Sequence, residues 1–307
     1  MSCAWITHGD CRKHEMGSHH PECPERLDSI ADHLTAQGLM ALLIPFEAPA
    51  ATAEQLERAH TARHVAEILA AAPTHGYLQV DPDTAMNPHS LSAALHAAGA
   101  AVLATDLVLK GEVQRAFCAV RPPGHHATRD AAMGFCLFNN AAVGVMHALD
   151  AHGLKRVALI DFDVHHGNGS EDILAGDERV LMASTFQRAL YPFSGDDPLA
   201  DNMVNIGLPR GSSGEAMREA VESHWLPALD AFKPEIIYIS AGFDAHRADE
   251  LAGLTWVEED YAWVTGKILD VADRHARGRV VSLLEGGYAL QALARSVGAH
   301  VRGLISH

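Results

Sequence analysis

Short runs of β-branched and apolar residues recur along this chain, separated by longer stretches with helical periodicity. That alternation constrains the fold more than any other feature. Runs near Cys3–Thr7, Leu42–Phe46, Gln114–Val120 and Val157–Asp163 read as strands, as do Val180–Thr185, Met203–Ile206, Glu235–Ala241 and Val280–Leu284. Between them, Pro24–Gln37, Ser90–Lys110, Glu215–Phe232 and Val257–His275 are alanine-rich or amphipathic and read as helices. Such alternation predicts an α/β fold of three layers, a mostly parallel sheet sandwiched between helices. No proline- or serine-rich linker, internal repeat or low-complexity tract interrupts it, so residues 1–307 are expected to form a single domain.

Lys plus Arg number 23 against 39 Asp plus Glu, a formal charge of -16. A nucleic-acid polyanion would be repelled unless a local basic patch existed, and the sequence shows none. The acidic balance suits cationic ligands such as polyamines and lysine-rich tails, and serves solubility equally well. Met1–Asp10 carries no basic stretch leading into an apolar run, and no later segment reads as the ~20 apolar residues of a membrane span. A soluble, cytoplasmic protein is expected. Its 5 cysteines, Cys3, Cys11, Cys23, Cys118 and Cys136, show no C-x-x-C spacing, which fits neither a disulfide framework nor a cysteine metal site.

Open parallel sheets bind ligands outside the carboxyl ends of their strands, and several strands here run straight into segments dense in Asp, His and Gly. In Val157–Ser170, VALIDFDVHHGNGS, the apolar run ends in Asp161, Asp163, His165 and His166. Alternate residues of an extended strand share a face, so Asp161, Asp163 and His165 are expected to point the same way, where a carboxylate and an imidazole grip one divalent cation. The bland alternative is a strand-end turn whose acids cap a helix. Ile236–His246, IIYISAGFDAH, repeats the logic with Asp244, a cap residue if taken alone. Paired with the first segment it completes an Asp-His-Asp set suited to zinc with an open coordination position.

Ala119–Asn140 places His125 and His126 after a rigid Pro-Pro-Gly turn, which would keep a catalytic imidazole aimed. Among 21 histidines a doublet is also expected without function, as at His19 and His20. Val281–Leu290 ends a strand in Gly286, Gly287 and Tyr288, where close backbone approach and a phenol suit a developing oxyanion, or simply form a tight turn. The HHGNGS segment lacks the lysine and spacing of a phosphate loop, and no G-x-S-x-G elbow occurs. Cys136, in an apolar GFCLF run, reads as core.

Together, RPPGHHA, GFCLFNN, DFDVHHGNG, SAGFDAH and LEGGY, in this order, resemble the histone deacetylase family, specifically its class II branch and bacterial relatives. Met16–Leu27, MGSHHPECPERL, resembles the family's amino-terminal loop, so the likeness covers nearly the whole chain. The resemblance implies the arginase/deacetylase fold, a single α/β domain with an eight-stranded parallel sheet. It implies that Asp163, His165 and Asp244 bind a catalytic zinc, that His125 and His126 form the acid/base pair, and that Tyr288 polarises the substrate carbonyl. Phe135, Tyr191 and Gly286 match positions along the acyl-lysine tunnel, Leu251 its rim, and Arg26 an arginine behind the site. Asp161 and Ser184 match ligands of a structural potassium ion, helped by backbone oxygens of Asp163 and His165. Asp81 or Asp83 corresponds to a rim aspartate, the alignment leaving both open.

Two departures stand out. Asn168 replaces an aspartate that many members place on the second histidine, and Tyr191 stands where phenylalanine is common. The two-manganese arginase relatives carry a further carboxylate where this chain has Gly167, which favours one metal. The resemblance implies hydrolysis of N-acyl, chiefly N-acetyl, amides of lysine side chains. Acetylated polyamines or other small amides are the alternative substrates, and a silent acyl-group binder is the non-enzymatic one.

Overall fold

In a computed structural model, which describes residues 2–307, the apolar runs pair into one sheet. Its strands are β1 (Cys3–Thr7), β2 (Ile44–Glu47), β5 (Arg115–Cys118), β6 (Val157–Asp161), β7 (Val180–Gln187), β8 (Met203–Leu208), β9 (Ile236–Ala241) and β10 (Val280–Leu284); β3 (Leu78–Asp81) and β4 (Thr84–Met86) form a separate antiparallel hairpin. The eight strands lie in the order β2-β1-β5-β10-β9-β6-β7-β8, every pairing parallel. The central strands β6, β9 and β10 are buried along their whole length, as near-continuous apolar runs in a covered parallel sheet must be. Edge strand β2 is mostly exposed and carries Pro45 and Glu47, which discourage pairing with a further strand.

Helices cover both faces, and neighbouring residues of β5 show it. Phe117 meets His300 of the helix Leu290–Ser306, whereas the Cys118 thiol approaches the Ala100 carbonyl of the helix Ser90–Lys110. Successive strand side chains point to opposite faces, so these helices lie on opposite sides. Ser90–Lys110 is long and apolar enough to cross a membrane, with mean hydropathy 1.5, contrary to the expectation that no segment is. It is a core helix: 67% of that apolar window is buried in the domain, and Gly99 lets it approach so closely that a Cβ there would lie 1.8 Å from the Pro49 carbonyl oxygen.

The helix expected over Glu215–Phe232 is Gly214–Ala220, a wider π turn Val221–Trp225, then Leu226–Phe232. Pro227 explains the break, because it has no amide to donate and its ring collides with the carbonyl four residues back. All five cysteines are free. The insertion of β10 and β9 between β5 and β6 positions the site, since the segments after all four strands then leave the sheet side by side.

Candidate active site

Strand β6 stops at Asp161, two residues before the expected end, and the chain then makes a pair of side-chain-to-backbone turns. The Asp163 amide donates to Asp161 Oδ1 at 3.0 Å and the His165 amide to Asp163 Oδ1 at 2.9 Å. The bend separates roles that the extended reading merged: Asp161 Oδ2 lies 2.9 Å from His125 Nδ1, while Asp163 and His165 face Asp244 from the end of β9. Ligand atoms of Asp163, His165 and Asp244 all lie within 4.8 Å of one another. His165 Nδ1 is 3.0 Å from Asp163 Oδ1 and 3.1 Å from Asp244 Oδ2.

Second contacts fix both carboxylates. The Val164 amide donates to Asp244 Oδ1 at 3.0 Å and the Gly286 amide to Asp163 Oδ2 at 2.8 Å. Asp244 Oδ2 is buried without a hydrogen bond, its approach to His165 being poorly aligned. Burial opposes a proton on His165, yet Asp163 and Asp244 raise it to about 10, so this point of the molecule demands positive charge. Two aspartates and one imidazole converging on one point, with an orphaned carboxylate oxygen, fit a divalent cation of the zinc type. No further carboxylate reaches the site from position 167, because a Cβ on Gly167 would lie 2.3 Å from Asp161 Oδ2.

The rings of His125 and His126 have centroids 4.0 Å apart, both buried. Burial works against a proton on His125, but Asp163 and Asp161 outweigh it and hold its pKa well above the usual range. His126 is the opposite case: burial, then the charges of His125 and His165, push it well below. Its Nδ1 lies 2.8 Å from Asn168 Oδ1, so with that amide orientation Nδ1 carries the hydrogen and Nε2 keeps a free lone pair. A neutral base works above its pKa, so the acid limb of kcat/KM is expected well below pH 6.5. Asn168→Asp should raise that limb by roughly 1–2 pH units, because a carboxylate favours the imidazolium. A profile from pH ~5 to ~9 that shows the same limb in both proteins would remove Asn168 from this role.

His126 and His165 line a cleft of about 220 Å³ together with Phe135, Leu190, Tyr191, Leu251 and Tyr288. Phe135 has a φ of 69°, an uncommon backbone state for a bulky residue. The β3–β4 hairpin holds it there: the Thr84 hydroxyl accepts the Phe135 amide at 2.9 Å and Asp83 the Gly134 amide at 3.0 Å. Asp83, not Asp81, lines the cleft. Tyr288 is fixed from behind, its amide donating to Asp249 Oδ2 at 2.7 Å and its ring lying 5.0 Å from the Arg26 guanidinium. Arg26 also donates to the Gly287 carbonyl at 2.7 Å. Burial, then the Asp244 charge, holds the Tyr288 phenol well above its usual pKa, so it remains a donor.

Gly286, expected along the tunnel, packs against the carboxylates of the cluster, where a Cβ would come within 2.1 Å of Asp244 Oδ2. Asp161 and Ser184 are register partners across β6 and β7, the Ser184 hydroxyl donating to Asn205 at 3.2 Å. Burial pushes the Cys136 thiol well above its usual pKa, as a core cysteine. Sequence reasoning passes over Gly134, Leu190, Asp249 and Glu22. Only Glu22 leaves a signal, its spacing of four from Arg26, to which it is paired at 3.1 Å.

The family model described as Histone deacetylase domain matches residues 20–304. The chain is 38% identical over 277 residues to the histone deacetylase-like amidohydrolase of Pseudomonas aeruginosa, covering 88% of this chain and 73% of that protein. It is 36% identical over 297 residues to a probable deacetylase of Archaeoglobus fulgidus, covering 93% and 81%. With type-2 histone deacetylase 2 of Dictyostelium discoideum the identity is 34% across 98% of this chain, which spans only 20% of that longer protein. Among solved structures, the HD domain of HDA15 superposes with a TM-score of 0.93 at 33% identity, covering 100% of this chain and 88% of that one. With matching motifs, a shared sheet and a family match across almost its full length, the chain belongs to the histone deacetylase family.

Proposed function

We propose that this protein is a zinc-dependent amidohydrolase that removes acyl groups, chiefly acetyl, from lysine side chains. The observation that carries the proposal is the meeting of Asp163, His165 and Asp244 within 4.8 Å at the end of a cleft that His126 and Tyr288 also line. Zinc bound by those three residues supplies Lewis-acid polarisation of the amide carbonyl and acidifies water. His126 Nε2, neutral and unbonded, takes the proton of the attacking water and returns it to the leaving amine. His125, tied to Asp161, supports its neighbour's ring and the local charge balance. The Tyr288 hydroxyl donates to the oxygen on which negative charge develops. Phe135 and Tyr191 wall the alkyl chain between them and Leu251 closes the outer end.

A structural potassium ion is the second cation of this proposal, held by Asp161 and Ser184 with the backbone oxygens of Asp163 and His165. Small acetylated amines are the rival substrates, and Asp83 in the cleft favours testing them, since its carboxylate would suit a second ammonium. Acetate release is measured from acetyl-lysine peptides, acetylated polyamines and a trifluoroacetyl-lysine probe. Turnover of peptides alone excludes the polyamine alternative, and turnover of polyamines alone reverses the assignment. Chelator treatment is expected to abolish release and stoichiometric zinc to restore it. Full activity in chelated protein shown by elemental analysis to lack zinc would end the metal assignment.

A further inference from the structure

Glu285, in the LEGGY segment, is a buried carboxylate to which the reaction above gives no task. It is 0% exposed. Removing a charge from water costs several kcal/mol unless nearby groups compensate, so its partners indicate what it is for. Arg26 does not compensate it, reaching the Glu285 carbonyl and not the carboxylate, and burial pushes Glu285 up to about 7 despite the nearby His125 imidazolium. Instead Glu285 accepts two consecutive backbone amides of the histidine loop: Gly124 at 2.7 Å and His125 at 3.1 Å, both on Oε2. Its Oε1 accepts the Ser240 hydroxyl at 3.2 Å.

The other side of the loop is held as firmly. The His125 carbonyl accepts the amides of Gly169 and Ser170 at 3.0 and 3.1 Å, at the start of the helix Asn168–Leu174 that also carries Asn168. His125 is therefore pinned at its amide by the end of β10 and at its carbonyl by the segment following the metal ligands. Tyr288 stands three residues after Glu285, and between them Gly286 donates its amide to Asp163. One strand end thus references the imidazole pair, a ligand carboxylate and the phenol to a common frame.

We propose that Glu285 is a positioning residue that holds the His125–His126 loop in register with Tyr288, acting through the acceptor oxygen it offers the two amides. The inference rests on the amidohydrolase reading. Displacing a reacting group by about 1 Å costs on the order of a hundredfold, and removing the anchor would permit such a displacement. Two variants separate acceptor geometry from charge. Glu285→Gln removes the charge but leaves an oxygen at the same reach, whereas Glu285→Asp keeps the charge and withdraws the oxygen by one methylene.

Both variants and the wild type are assayed for kcat and KM on whichever amide the wild type hydrolyses, with zinc content and melting temperature measured alongside. Glu285→Gln is expected within about threefold of wild-type kcat, and Glu285→Asp at least about tenfold below it, with KM and zinc content near wild type in both. The inference is overturned if Glu285→Asp retains wild-type kcat, or if Glu285→Gln falls as far as Glu285→Asp, which would make the charge the active feature. It is also overturned if kcat tracks melting temperature alone, or if either variant fails to fold while the other is unimpaired. A wild type inactive on every amide overturns the amidohydrolase reading itself, an outcome distinct from any of these.

Discussion

Tyr288→Phe is expected to lower kcat by about 10²–10³-fold while KM for an acyl-lysine probe and the zinc content stay near wild type. The reason lies in how little else the substitution touches. The Tyr288 backbone is fixed by its amide bond to Asp249 at 2.7 Å, and the Ala289 amide donates to the same oxygen at 3.1 Å. The ring is packed between the Arg26 guanidinium at 5.0 Å and the edge of Phe135 at a centroid distance of 6.0 Å. Phenylalanine keeps every one of those contacts and loses only the hydroxyl. A donor that strengthens as charge moves onto the amide oxygen contributes to the transition state more than to substrate binding, so the loss belongs in kcat. Wild-type kcat in this variant, on a substrate the wild type turns over, would exclude Tyr288 as the oxyanion donor. A drop confined to KM would make it a binding residue instead.

The parts of this molecule legible in its sequence are those governed by local pattern. Cys3–Thr7 and Val280–Leu284 are strands with the expected bounds, and Ser90–Lys110 is a helix with the expected bounds, because each is an apolar run ended by its own punctuation. Periodicity misplaces the end of β6 because it does not register the Asp161 and Asp163 side chains competing for backbone amides. Grouping Asp163, His165 and Asp244 requires only that strand ends converge, a rule of parallel sheets. That β9 and β10 enter between β5 and β6 has no local signal, and the contacts of Glu285 to Gly124 and His125, across more than 150 residues, are hidden with it. The first strand of the β3–β4 hairpin is exposed or half-buried and the second, though buried, is only three residues long, too short for a pattern, which leaves Asp81 and Asp83 undivided in the sequence.

Glu22→Gln is expected to destabilise the fold by roughly 3 kcal/mol at neutral pH. Glu22 is fully buried between two guanidinium groups, Arg121 Nε at 2.6 Å from Oε1 and Arg26 Nη1 at 3.1 Å from the same oxygen. Burial alone would raise its pKa, but Arg121, Arg26 and then His14 overcome that and lower it from 4.5 to about 2. A folded value below the unfolded one means that the stabilisation is complete above pH ~4.5 and is lost as pH falls toward 2. That difference in pKa corresponds to roughly 3 kcal/mol, in line with the cost of breaking a buried pair and leaving its cations uncompensated. Glutamine mimics the protonated carboxyl, so the variant should start less stable and show a flatter dependence between pH ~5 and ~2. Denaturant unfolding at a series of pH values measures both. The consequence reaches the active site, because Arg26 holds the Gly287 carbonyl and lies over the Tyr288 ring. Released from Glu22, it would hold them less firmly, so residual folded Glu22→Gln should also lose kcat. Coincident plots of stability against pH for the two proteins would show that the Glu22 carboxylate does not stabilise the fold.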